Sequence, residues 1–220
     1  MTDTVLAARA SYAAFDVVVV ASSIGGGEAY RRLLSRLPGD FPAAVLAVQH
    51  RSPSHADLTP LLLRRQAALP VRAAQHGDRL RRGEIHVAPA DRQLLVGPDG
   101  RIALTEPYVG AFPLARCAAD PLCASVAAAF GPRTIGVVLS SALDDGAAGA
   151  QAIKRVGGRV LVQDPATAAA TGMPTAAIAT GCVDFVLAPE EIGAALVALV
   201  MAPGAAQLFR VPVPSWALLA

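Results

Sequence analysis

Four consecutive valines, Val17 to Val20, run without a charge into Ala21-Ser22-Ser23-Ile24-Gly25-Gly26-Gly27, and Glu28 to Leu37 then carries a helical pattern. An unbroken β-branched run of this kind is a strand buried on both faces, which is the environment inside a parallel sheet. The chain therefore opens on a strand, a tight glycine turn and a helix start, with two hydroxyls at the bend. N–H groups at a helix start lack partners inside the helix and attract negative charge. A serine placed there suits a nucleophile or a phosphate cradle, and it can also simply cap the helix.

The remaining chain repeats the βα rhythm. Ala43 to Gln49 is a second buried strand ending at His50, and Asp57 is placed to cap a helix reaching Ala67. Pro70 to Ala74 and Glu84 to Ala88 are short strands around Arg79, Arg81 and Arg82. Gln93 to Val96 and Arg101 to Thr105 flank Gly97-Pro98-Asp99-Gly100, a hairpin signature. An irregular stretch from Glu106 to Arg116 leads into a helix from Ala118 to Phe130.

Then follow a strand (Thr134 to Leu139), a helix (Gly146 to Val156), a strand (Arg159 to Gln163) and a short helix (Pro174 to Thr180). A strand from Cys182 to Leu187 and a helix from Pro189 to Met201 close the series. Strands alternating with helices predict an α/β fold: a three-layer α/β/α arrangement on a mostly parallel, doubly wound sheet, with the β-hairpin as an insertion. Residues 1–15 read as a leader, 16–201 as one domain, and 202–220, with the sole tryptophan Trp216, as a proline-punctuated tail.

Composition narrows the function classes. With 220 residues, 54% of them hydrophobic, the chain has enough apolar surface for one full core. A formal charge of +2, with arginines spread along the chain, gives no nucleic-acid footprint. Cys117, Cys123 and Cys182 have no metal-ligand spacing, and their odd number argues against a disulfide framework, so reduced thiols are expected. His55, His76 and His86 are scattered, with no ligand spacing, so no metal site is expected. No signal peptide or membrane-length apolar run is present, which predicts a cytoplasmic protein without membrane insertion. The glycine turn lacks the Gly-x-Gly-x-x-Gly spacing of dinucleotide sites and has no P-loop lysine.

Open α/β sheets place their sites at the carboxyl ends of strands. Three strand ends here carry reactive groups: Ser22-Ser23, His50 and Asp144-Asp145. Serine, histidine and aspartate are the parts of a nucleophilic triad, in which imidazole takes the hydroxyl proton and carboxylate fixes its tautomer. The structural alternatives are a serine capping the first helix, a hydrogen-bonded His50, and Asp144 or Asp145 capping the helix after Gly146.

At these residues the sequence resembles the catalytic domain of the CheB-type protein-glutamate methylesterases of bacterial chemotaxis. Ala21-Ser22-Ser23-Ile24-Gly25-Gly26-Gly27-Glu28-Ala29 is similar to the family's Gly-Ala-Ser-Thr-Gly-Gly-Pro-Glu-Ala stretch, and Val48-Gln49-His50 to its Val-Gln-His. Leu139 to Gly146 is similar to Leu-Thr-Gly-Met-Gly-x-Asp-Gly. Val87-Ala88-Pro89, the region of Asp120, Gln163-Asp164 and Gly172-Met173-Pro174 match as well. The resemblance implies Ser23 as nucleophile, His50 as base and Asp145 as the third member. It implies oxyanion and substrate contacts at Ile24, Gly25, Gly26 and Ala142. The implied reaction is hydrolysis of γ-glutamyl methyl esters on the cytoplasmic helices of chemoreceptors, with deamidation of receptor glutamines beside it, and no cofactor or metal is implied.

The chain departs from the family pattern at several of these loops. Ile24 stands for Thr, Gly27 for Pro, Ser140-Ser141-Ala142-Leu143 for Thr-Gly-Met-Gly, and Cys117-Ala118-Ala119-Asp120 for Pro-Ser-Val-Asp. Family members often carry an N-terminal receiver domain, and the few residues ahead of the first strand here imply a domain without that switch. Two further readings use the same residues: a binding or regulatory module with weakened turnover, and an esterase or amidase for a different substrate.

Overall fold

Val17–Ser22 forms β1 and is buried along its whole length, as a charge-free valine run requires. Its alternating side chains face two separate cores. Val18 and Val20 pack with Tyr30, Leu33, Leu63, Ile192 and Leu196, whereas Val17, Val19 and Ala21 pack with Leu122, Val126, Ile153, Met173 and Ala177. One strand thus anchors helices above and below it. The structure, a computed structural model, describes residues 14–51, 57–107, 118–202 and 204–208.

The elements follow in chain order: β1, α1 (Gly26–Leu34), β2 (Ala44–Gln49), α2 (Thr59–Arg64), β3 (Val71–Ala73), β4 (Ile85–Val87), β5 (Leu94–Val96) and β6 (Ile102–Leu104). Then come α3 (Ala119–Phe130), β7 (Thr134–Val138), α4 (Ala147–Arg155), β8 (Arg159–Gln163), α5 (Gly172–Ala179), β9 (Phe185–Leu187), α6 (Pro189–Met201) and α7 (Ala205–Leu208). Seven strands form one sheet in the order β3-β4-β2-β1-β7-β8-β9, every neighbouring pair parallel. The chain winds outward from β1 through β2, then returns to β1's other side at β7. That reversal makes the carboxyl ends of β1 and β7 a topological switch point, where such sheets open a crevice. The β5–β6 hairpin is a separate antiparallel pair, tied to α3 by the Val96 N–H donating to Ser125 Oγ at 3.1 Å.

Several boundaries differ from the sequence reading. Ala14 and Phe15, assigned to the leader, pack on the core, with Phe15 buried. Helix α2 stops at Arg64, and Asp57 accepts a hydrogen bond from the Thr59 N–H while pairing with Arg51. Helix α5 starts two residues before Pro174, because proline is tolerated within a helix's first turn. Strand β9 begins only at Phe185, since the Asp184 carboxylate turns inward to the Val160 N–H (2.7 Å) and to Lys154. The start of the tail docks on the body: Ala205 is buried, and Arg159 donates to the Ala206 carbonyl. Residues 1–13 of the leader, His55, most of the stretch from Glu106 to Arg116, Cys117 and Trp216 lie outside the described residues. Among the described residues no helix is long and apolar enough to cross a membrane.

Candidate active site

The register of the central strands sets the site. Val17↔Ala44 through Ser22↔Gln49 pair β1 with β2, so Ser23 and His50 leave the sheet side by side, with the His50 N–H donating to the Ser22 carbonyl (2.9 Å). The Tyr30 hydroxyl clamps the two strand ends from below, 2.6 Å from the Val20 carbonyl and 3.0 Å from that of Val48. Burial drives the Tyr30 pKa upward, so it remains a neutral donor. On the other side of β1, β7 delivers Ser140 and, a short loop later, Asp145.

His50 and Asp145 meet. Nε2 of His50 lies 2.7 Å from Oδ2 of Asp145, with both side chains largely buried. An ionised carboxylate only accepts, so Nε2 carries the proton. The Ala118 N–H also points at Nε2, from 3.4 Å, too far to compete. Nδ1, the lone-pair nitrogen in the neutral ring, is buried and has no hydrogen-bond partner among the described residues, Ser23 Oγ included.

Asp145 is held by more than the imidazole. Oδ2 accepts from the Ala119 N–H (2.8 Å), and Oδ1 from the N–H groups of Asp120 (3.0 Å) and Gly146 (3.0 Å). It therefore caps the start of α3, a helix on the other side of the loop. Burial alone raises its pKa, but the hydrogen bonds from His50 and the two α3 amides outweigh that and lower it. Asp120 returns the favour: its Oδ1 accepts from Gly146 (2.9 Å) and Gly149 (2.6 Å) at the start of α4. Burial, followed by the neighbouring Asp145 charge, raises the Asp120 pKa. The α3–α4 crossing is tight, since a Cβ on Gly149 would lie 2.8 Å from Cys123 Cβ.

The two serines of the turn part company. Ser22 is buried, and a Cβ on Gly26 would sit 2.3 Å from its Oγ, so that hydroxyl is walled in; Ser23 is half-buried. Neither caps α1, whose N-cap is Gly25 in the left-handed conformation (φ 76°) with no side-chain cap. Gly25 is required there twice over, because a Cβ would also come within 2.5 Å of Ala169 Cβ.

Backbone N–H groups sort the expected oxyanion residues. Ser23 N–H is spent on the Ser140 carbonyl (2.9 Å) and Gly26 N–H on the Ser23 carbonyl (2.9 Å). Gly26 is thus a packing glycine in this state, and its amide is engaged. Among the described residues, the N–H groups of Ile24, Gly25 and Ala142 have no backbone acceptor. Ile24's side chain is 60% exposed over the turn. The loop through Ala142 and Leu143 closes without left-handed residues by lying against bare Gly172, whose Cβ would meet the Leu143 carbonyl at 2.4 Å.

Sequence reasoning passed over Tyr30, Ser140 and the capping work of Asp120. Their roles depend on tertiary partners that no local spacing marks. A cleft beside His50 is lined by Gln49, Arg51, Pro89, Arg92 and Ala118. Arg51 is fixed in it by Asp57 and by the carbonyls of Gln49 (3.0 Å) and Ala88 (2.6 Å). A larger hollow between Asp16, Arg79 and Phe130 lies at the amino ends of the strands, away from His50.

A parallel three-layer sheet with a His–Asp pair and a serine turn at its switch point defines a class of α/β protein with the parts of a nucleophilic site. The family is more specific: the CheB methylesterase model matches residues 18–196, and the chain belongs to that family. It is 45% identical over 178 residues to protein-glutamate methylesterase/protein-glutamine glutaminase 3 of Anaeromyxobacter dehalogenans, covering 80% of this chain and 51% of that protein. It is 40% identical over 191 residues to the corresponding enzyme of Moorella thermoacetica, covering 86% and 45% respectively. The chain thus spans about half the length of these curated relatives. The crystal structure of the Thermotoga maritima CheB methylesterase catalytic domain superposes with a TM-score of 0.75 at 30% identity, covering 84% of this chain and 99% of that one.

Proposed function

We propose that this chain hydrolyses γ-glutamyl methyl esters of chemoreceptor cytoplasmic domains, with Ser23 as nucleophile, His50 as base and Asp145 as the residue that orients it. Deamidation of receptor glutamines belongs to the same chemistry, since both reactions pass through a γ-glutamyl acyl-enzyme. One observation carries the reading: the His50–Asp145 pair, 2.7 Å apart, leaves a buried Nδ1 without a partner among the described residues, on the residue that leaves β2 beside Ser23. The names borne by relatives at 40–45% identity support the substrate class.

Ser23 Oγ attacks the ester carbonyl as its proton passes to Nδ1 of His50, and Asp145 stabilises the resulting imidazolium through Nε2. Collapse of the tetrahedral intermediate expels methanol, which takes that proton. Water, deprotonated by the same nitrogen, then releases the γ-carboxylate and frees Ser23. The N–H groups of Ile24, Gly25 and Ala142, which have no backbone acceptor among the described residues, are the donors for the oxyanion. Nδ1 has no bond to Ser23 in the resting state, and catalytic hydrogen bonds of this kind commonly tighten only when substrate is bound.

The test is methanol release from a methylated receptor fragment. Wild type turns over, and Ser23→Ala loses activity by about 10⁴- to 10⁶-fold, the order seen when a triad member is removed. An unchanged rate in Ser23→Ala overturns the nucleophile assignment. Receptor binding without methanol release by wild type overturns the esterase reading in favour of a binding module.

A further inference from the structure

Ser140 sits behind the catalytic turn. It is 1% exposed and reaches that turn through two of its own groups. Its carbonyl accepts from the Ser23 N–H at 2.9 Å, and its hydroxyl lies 2.7 Å from the Ile24 carbonyl. The hydroxyl is also 3.2 Å from the Ala170 carbonyl and accepts from the Ala170 N–H at 3.0 Å. A serine hydroxyl has one proton, and the shorter contact, which marks the acceptor, is to Ile24. Ser140 is itself fixed: its N–H donates to Gln163 Oε1 (2.9 Å), and Gln163 Nε2 donates to the Thr167 carbonyl (3.0 Å). Gln163 is buried, so this brace does not exchange its partners for water.

Peptide planarity turns that contact into an orientation. No described peptide bond is cis, so the Ile24 C=O and the Gly25 N–H point in opposite directions across one rigid plane. Pulling the carbonyl inward onto Ser140 therefore turns the Gly25 N–H outward, on the exposed side of the turn. The turn has rotational freedom to lose, because Gly25 is left-handed and flanked by Gly26 and Gly27.

We infer that Ser140 is a positioning residue for the oxyanion site: its hydroxyl locks the Ile24–Gly25 peptide so that the Gly25 N–H faces the developing negative charge. This rests on the proposed esterase reading, and it assigns Ser140 no contact with substrate. Preorganisation of a donor acts on the transition state far more than on the bound ester, so its loss falls on kcat and leaves KM.

The experiment compares wild type, Ser140→Ala and Ser140→Thr on the methylated receptor fragment, with urea midpoints as the control for folding. Ser140→Ala loses kcat by on the order of 10²-fold, the size of one oxyanion donor, with KM within about twofold of wild type. Ser140→Thr, which keeps the hydroxyl, recovers most of it. Backbone NMR supplies a readout independent of turnover: the Ile24 carbonyl carbon and Gly25 amide resonances move in Ser140→Ala and return toward wild type in Ser140→Thr. An Ser140→Ala enzyme with full kcat, an equal loss in a folded Ser140→Thr, or unmoved Ile24 and Gly25 resonances would each overturn the latch. Loss of the esterase reading shows up separately, as activity that survives Ser23→Ala or is missing from wild type. The NMR comparison still decides the latch in that event.

Discussion

Ser22 and Ser23 are neighbours of the same chemical type, and the fold gives them opposite fates. Ser22 is the last residue of a buried strand and lies under Gly26; Ser23 is the first residue free of the sheet. Gly26 is therefore a steric requirement of Ser22. A Cβ there would lie 2.3 Å from Ser22 Oγ and 2.6 Å from its Cβ, with little room for either to move. Gly26→Ala is expected to cost about 1–3 kcal/mol as overpacking, read from the shift in urea midpoint. Trimming Ser22 to Ala leaves its Cβ clash in place and restores little, whereas Ser22→Gly restores most of the packing loss. Equal stability of Gly26→Ala and wild type would show that the turn is looser than these contacts require. The sequence exposes the Ser-Ser-x-Gly-Gly-Gly pattern but ranks neither hydroxyl, because accessibility depends on what packs over each one.

Helices α3 and α4 exchange carboxylates: Asp145, ahead of α4, caps α3, and Asp120, in the first turn of α3, caps α4. Replacing Asp120 with Ala removes the acceptor for the Gly149 N–H and one of the two for the Gly146 N–H, and is expected to cost about 1 kcal/mol, the usual loss for a helix cap. Asp120→Asn keeps an acceptor oxygen and removes the charge beside Asp145. It should be markedly less destabilising near neutral pH than Asp120→Ala. If the two variants lose equal stability, charge and not capping is the contribution of Asp120.

Elements of this kind differ in how far a sequence displays them. β1, β2, β7 and β8 are legible nearly to the residue, since strands buried on both faces appear as continuous apolar runs. Asp145 is legible as a cap, but of the wrong helix, because its partner amides lie across the fold. Strand β9 reads long for a related reason: Asp184 looks like a surface residue and instead pairs with buried Lys154.

For the molecule as a whole, Asp16 is a tie at the edge opposite the Ser23 turn. Its carboxylate accepts from Arg82 in the loop before β4 and from Arg133 ahead of β7 (2.5 Å to Nε, 2.8 Å to the second guanidinium nitrogen). Partial burial raises its pKa, and the two arginines outweigh this to give a net lowering. A carboxyl lowered on folding contributes stability that is complete above its unfolded pKa. That contribution disappears as pH falls through the lower, folded value. Asp145 and Asp57 are lowered as well, so the wild-type urea midpoint should decline on acidification below the ordinary carboxylate range. Asp16→Asn should show a shallower decline, with its deficit largest near neutral pH. Parallel acid limbs for the two proteins would remove Asp16 from the account.

The exchange of acids between α3 and α4 also bears on inheritance and on grafting. A segment spanning 140–149 moved into another scaffold carries one half of a clasp and leaves the other behind, so the transplanted acid keeps the amide of Gly146 and loses those of Ala119 and Asp120. The two stretches have to travel together. By the same token a knockout at position 145 disturbs architecture, and under the proposed esterase reading the cleaner null for cellular work is the hydroxyl at position 23.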